Sequence, residues 1–79
     1  MTIPVITKEA LDRYVNDRIP TGGFLHAVLT DRLFDAVGRA DKENLAALRD
    51  IVTYIYNELP SDCWGSEAKV HNWLYSDPK

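Results

Sequence analysis

Cysteine is almost missing from this chain of 79 residues, where Cys63 stands alone. A single thiol excludes an internal disulfide framework and any multi-cysteine zinc site, and it fits a reducing compartment. Long apolar runs are missing too. Nothing approaches the roughly 20 residues that a membrane-spanning helix needs. Met1 to Leu11 is broken by Pro4, Lys8 and Glu9, without the apolar core of an export signal. The chain is therefore expected in the cytoplasm and away from membranes. Positive charge is scarce: nine Lys and Arg against twelve Asp and Glu leave a net charge of −3. That balance argues against general binding to DNA or RNA, while leaving room for a basic protein partner or one localised anion site. Strand-like alternation is sustained nowhere, and there is no internal repeat, low-complexity tract or interdomain linker.

What is present is 46% hydrophobic and 27% charged residues, the composition of a folded domain. A domain this small leaves much of its surface in water, so each large apolar residue counts. Thr2 to Ile6, β-branched and interrupted by Pro4, reads as part of an extended lead-in over residues 1–7. Thr7 stands where an N-cap belongs. Ala10, Leu11, Tyr14 and Val15 then recur at helical spacing until Ile19-Pro20, predicting a helix over roughly Lys8 to Arg18. After Gly22-Gly23, Phe24, Leu25, Val28 and Leu29 form a second apolar face. Thr30-Asp31 offers a cap for a short third helix carrying Leu33, Phe34 and Val37, with Gly38 at its end. Asp41 caps the longest element, a central helix near residues 42–59 in which Leu45, Leu48, Val52, Ile55 and Leu59 make a core-facing stripe. Pro60 stops it, Ser61 to Gly65 reads as a tight loop, and Ser66 caps a last helix with Val70, Trp73 and Leu74 inward. The expected fold is all-α: one compact domain over residues 1–79, a bundle of four or five short helices wrapped around the central one.

The segment Arg18 to Phe24 has the least ordinary backbone. Pro20 restricts Ile19, Thr21 offers a cap, and Gly22 and Gly23 leave amides uncovered by side chains. It has neither the P-loop spacing with its lysine nor a G-x-G-x-x-G following a strand. Two arrangements fit. In one, the amides of Gly22, Gly23 and Phe24, with Thr21, hold an anion or a nucleotide phosphate at a helix N-terminus, Arg18 or Arg32 supplies charge and Tyr14 gives a stacking face. In the other, the glycines allow a sharp corner and close packing of the second helix on the first.

Conventional catalytic chemistry finds little support. Cys63 and His71 pair only if the last helix folds back on the loop, with Asp62 orienting the imidazole. Otherwise Cys63 is a small, partly buried residue beside Trp64, with His26 and His71 at the surface. No ligand spacing supports zinc. Asp12 with Asp17, Asp31 with Asp35, and Glu43 with Asp50 share helices with Arg13, Arg32, Arg39 and Arg49, the alternation of a solvated face. The chain is expected to be no enzyme, with no catalytic residue, metal or cofactor to assign.

The aromatic residues are more informative. At about 100° per residue, Tyr54 falls roughly 130° from the centre of the Leu45 to Leu59 stripe, whereas Tyr56 lies near its edge. Tyr54 therefore needs a second packing surface, supplied by the amino-terminal segment or the last helix, or else it joins Trp64 and Tyr75 in an exposed interaction patch. Trp64 is core if it plugs the gap between the last two helices and an interface anchor if it does not.

Ile19-Pro20-Thr21-Gly22-Gly23-Phe24-Leu25, Leu33-Phe34, Arg39-Ala40-Asp41, Ile55 to Pro60, Cys63-Trp64-Gly65-Ser66 and Trp73 together resemble a group of small uncharacterised proteins of tailed phages and prophages. The resemblance spans roughly Tyr14 to Leu74. It implies an accessory protein that binds a host protein in the host cytoplasm and blocks or redirects it, as in counter-defence. The alternative reading is a small anion- or nucleotide-sequestering protein. Self-association into a homo-oligomer also suits so small a core.

Overall fold

The first helix begins earlier than its apparent cap. In the computed structural model, which describes residues 3–75, α1 runs Val5–Asp17 with Pro4 at its N-cap position. Proline suits the start of a helix because its missing N–H costs no intrahelical bond there. The extended lead-in is thus confined to Ile3 and Pro4 among the described residues, Met1 and Thr2 lying outside them. Thr7 is not a cap. It is buried inside α1, and its hydroxyl donates to Asn44 Oδ1 at 2.6 Å.

The remaining helices are α2 (Gly23–Leu29), α3 (Leu33–Arg39), α4 (Lys42–Ala46), α5 (Leu48–Glu58) and α6 (Glu67–Tyr75), with a 3-10 turn at Ser61–Cys63. This is one all-α domain with six α-helices among the described residues. The count exceeds the expected four or five because the 42–59 helix is broken at Ala47, whose φ of −99° and ψ of 10° separate α4 from α5. Asp41 caps α4 as expected, accepting from the Asn44 N–H at 2.8 Å, and Ser66 caps α6 through the Lys69 N–H at 3.2 Å. Leu59 and Pro60 end α5. Thr30 does not cap α3. Its hydroxyl turns back to the His26 carbonyl at 2.8 Å, and Asp31 makes the corner in the left-handed region at φ 63°. α3 also runs through Gly38 to Arg39.

Leu11 and Tyr14 of α1, Leu25 and Leu29 of α2, Ile51 and Ile55 of α5, Cys63 of the 3-10 turn and Val70 of α6 belong to the shared core. The Cα radius of gyration is 11.7 Å, close to the ~11.6 Å of a well-packed chain this long. Tyr14 is fully buried, and its hydroxyl donates to the Cys63 carbonyl at 2.8 Å. Its own carbonyl accepts from Trp73 Nε1 at 2.9 Å. Arg18 closes the same cluster: it ends α1 at φ 55°, its guanidinium lies 4.0 Å from the Trp73 ring centre, and Nη1 donates to the Trp73 carbonyl at 2.8 Å. These contacts tie the C-terminal end of α1 to α6 and to the 3-10 turn.

Removing the Tyr14 hydroxyl leaves a buried carbonyl unpaired, which costs about 1–3 kcal/mol. Tyr14→Phe is expected to lower urea-unfolding stability by that amount. Tyr54→Phe, which loses a bond to the half-exposed Asp12, is expected to cost less than about 1 kcal/mol. Equal losses would assign Tyr14 no special role.

Candidate interaction groove

α5 is apolar on two neighbouring faces. Ala47, at the break before it, and Ile51 and Ile55, four residues apart, point into the core at 4% exposure or less. Leu48, Val52 and Tyr56 each follow one of these and lie further round the helix, where they line a groove of about 420 Å³ with Leu33 and Ala36 of α3, Val28 of α2, and Trp64. The stripe expected to face the core is therefore divided. Ile55 and Leu59 are buried, but Leu45 and Val52 are each 47% exposed. The inward direction is rotated by roughly 60°, at about 100° per residue, because the small Ala47 occupies a core position that carries little hydrophobic signal.

The far wall is α3, whose buried residue is Ala36. Leu33 is 60% exposed and Phe34 is 92% exposed, an unusual state for a phenylalanine. Trp64 is partly buried, and its position is set by its own contacts and by those of both neighbours. Its Nε1 donates to the Leu59 carbonyl at 3.3 Å, and its ring lies 5.7 Å from that of Tyr56 at a 52° tilt. The preceding carbonyl, of Cys63, is taken by Tyr14. The following N–H, of Gly65, donates to the Leu29 carbonyl at 2.8 Å. Gly65 sits at φ 114°, a conformation that favours glycine. Of the charges near the groove, Arg32 is paired with Glu67 and Asp35 with Arg39 at 3.0 Å, while Asp31 also stands in the lining.

The three residues read as interaction anchors have separate surroundings. Trp64 lines the groove. Tyr54 packs on α1, donating to Asp12 Oδ1 at 3.1 Å beneath Lys8, whose Nζ lies 5.4 Å from the ring centre. Burial, with the Asp12 contact, pushes the Tyr54 phenol above its ordinary value. Tyr75 is 65% exposed at the end of α6, its ring 5.0 Å from that of His71. Tyr56, Val52, Leu33 and Phe34 are not among the residues read as interaction anchors: the sequence places Val52 in the core stripe, Tyr56 near its edge, and Leu33 and Phe34 among the apolar residues of the third helix. For Val52 and Tyr56 the signal is the width of the apolar arc on residues 45–59, which exceeds one helix face once Ala47 and Ile51 are counted; for Leu33 and Phe34 the sequence offers none.

The residues read as an anion site are also dispersed. Tyr14 is buried and offers no stacking face to solvent, Arg18 lies on Trp73, and Arg32 is paired with Glu67. Thr21 donates to the Gly22 carbonyl at 3.2 Å instead of capping α2. Phe24 packs against the core. Gly22 and Gly23 are exposed. A Cβ at Gly22 would meet nothing within 4 Å, and at Gly23 it would meet Arg39 Nη1 at 3.0 Å. The close packing of α2 on α1 that would demand glycine here is not what the backbone shows.

Cys63 is fully buried, and its Sγ donates to the Pro60 carbonyl at 3.1 Å. No group of three or more His, Cys, Asp and Glu among the described residues could hold a metal ion. No described helix is long and apolar enough to cross a membrane. Burial pushes the Cys63 thiol up from 9.0 to about 11 and raises the Tyr14 phenol as well. A group whose folded pKa is raised contributes stability that is complete below its unfolded value and lost as pH rises through the folded one. The urea midpoint is therefore expected to fall between pH 9 and pH 11, and Cys63→Ala to shrink that fall. A midpoint unchanged across this window would place the thiol in contact with water.

Comparison with family models, curated proteins and solved structures finds no match to this chain, so the groove is the feature on which a functional reading rests.

Proposed function

We propose that this chain is a small non-enzymatic binding protein that acts in the host cytoplasm by docking on a host protein and blocking or redirecting it. The groove between α3 and α5 supplies the docking surface. The observation that carries this reading is the second apolar face of α5: Val52 and Tyr56, 47% and 71% exposed, line one groove with Leu33 and a fixed Trp64. A domain of marginal size gains nothing in stability from aliphatic and aromatic side chains held in water. Such side chains are the usual anchors of an interface. Because Arg32 and Asp35 are paired within the chain, the groove recruits mainly apolar side chains of the partner, with Asp31 in its lining open to a basic one.

This redraws the interaction patch around Trp64, with Tyr56 and Val52 in place of Tyr54 and Tyr75. The resemblance to small phage proteins supports a host protein as the partner. The test begins with affinity capture from bacterial lysate, identification of the protein retained, and titration of that protein, purified, against wild type and Val52→Asp. Wild type is expected to bind the purified partner, and Val52→Asp to weaken binding at least tenfold with its helical circular dichroism unchanged. Equal binding by both would overturn the assignment to the groove.

A further inference from the structure

The docking face has a shape that can take its own copy. α3 presents a convex apolar ridge, Leu33, Phe34 and Val37, which are 60%, 92% and 40% exposed. Immediately beside it lies the concave groove floored by Val52 and walled by Tyr56 and Trp64. A ridge and a recess side by side on one surface are what a two-fold axis requires, since each copy then offers its ridge to the other's recess.

We propose that, without its partner, the chain pairs with a second copy through this face, α3 of each lying along the groove of the other. The proposal rests on the reading of the groove as a docking surface and names its resting occupant. Three observations favour a second copy. First, area: Leu33, Phe34, Val37, Val52 and Tyr56 together leave on the order of 600 Å² of side chain open, against about 800 Å² per partner in an interface of standard size. Second, charge: Arg32 with Glu67 and Asp35 with Arg39 are neutral pairs within each copy, so these four residues bring no unpaired like charges to the two-fold, and Asp31 of the groove lining adds a single negative charge per copy. Third, Phe34: at 92% exposure it makes almost no packing contribution to its own chain, and a recess of about 420 Å³ is large enough to accept a phenyl ring and its neighbours. A host protein then binds by displacing the second copy, so dimer formation and partner binding compete for one surface.

Sedimentation equilibrium of the purified chain over a concentration series tests this. Wild type is expected to show a concentration-dependent dimer. Phe34→Glu and Val52→Asp, both at exposed positions, are each expected to weaken dimerisation at least tenfold while keeping helical circular dichroism, and Tyr75→Ser on α6 is expected to dimerise as wild type does. A wild type that stays monomeric at every concentration overturns the proposal, as does a dimer insensitive to Phe34→Glu or one equally lost in Tyr75→Ser. A monomeric wild type whose capture of a host protein still depends on Val52 would overturn the dimer alone and leave the docking surface standing.

Discussion

The bond from the Tyr14 hydroxyl to the Cys63 carbonyl, 2.8 Å long and sealed from water, is the contact on which the rest of the arrangement depends. It joins residues 49 positions apart in sequence, bringing the C-terminal half of α1 under the turn that precedes α6. Trp73 completes the join by donating to the Tyr14 carbonyl, and Arg18 covers Trp73. A buried hydroxyl and a buried carbonyl each cost free energy when unpaired, so sliding α1 on α6 out of this register is opposed by the loss of these bonds. The consequence reaches the surface one residue later. With Cys63 fixed on one side and Gly65 hydrogen-bonded to Leu29 on the other, Trp64 has a set position at the groove.

The groove exists because α5 carries more apolar surface than its own chain covers. α1, α2 and α6 meet the Ala47, Ile51 and Ile55 face in the shared core. α3, seven residues long and packed beside α2, stands across from the other face without closing over it. The uncovered strip continues from Leu45 through Val52 to Tyr56 and across to Leu33 and Phe34. Buried and exposed apolar residues thus occupy adjacent faces of one helix.

Much of the fold was legible in the sequence because it is written in local rules. Asp41 and Ser66 cap the helices that follow them, Pro60 ends α5, and Val70, Trp73 and Leu74 turn inward. Local rules failed where tertiary contacts outweighed them. Thr7 resembles a cap in sequence, yet Asn44 claims its hydroxyl within α1, and the Leu45 to Leu59 stripe resembles a core face although Ala47 and Ile51 define the inward direction. The site was less legible than the fold. Trp64 could be marked from its loop, but whether it faced core or groove depended on bonds to Leu59 and, through its neighbours, to Tyr14 and Leu29. The glycines after Pro20 drew attention because their backbone is bare. Arg18, Tyr14 and Arg32, the residues needed to make it a site, are engaged elsewhere.

The central claim is that neighbouring residues of α5 serve different ends, Ile51 the stability of the domain and Val52 a surface held open for a partner. Urea unfolding of Ile51→Ala and Val52→Ala under identical conditions tests it most directly. The account predicts a loss of about 2–4 kcal/mol for the buried isoleucine and less than about 1 kcal/mol for the valine. Comparable losses at the two positions would contradict it, because Val52 would then be part of the core and the groove no more than a crease in its packing.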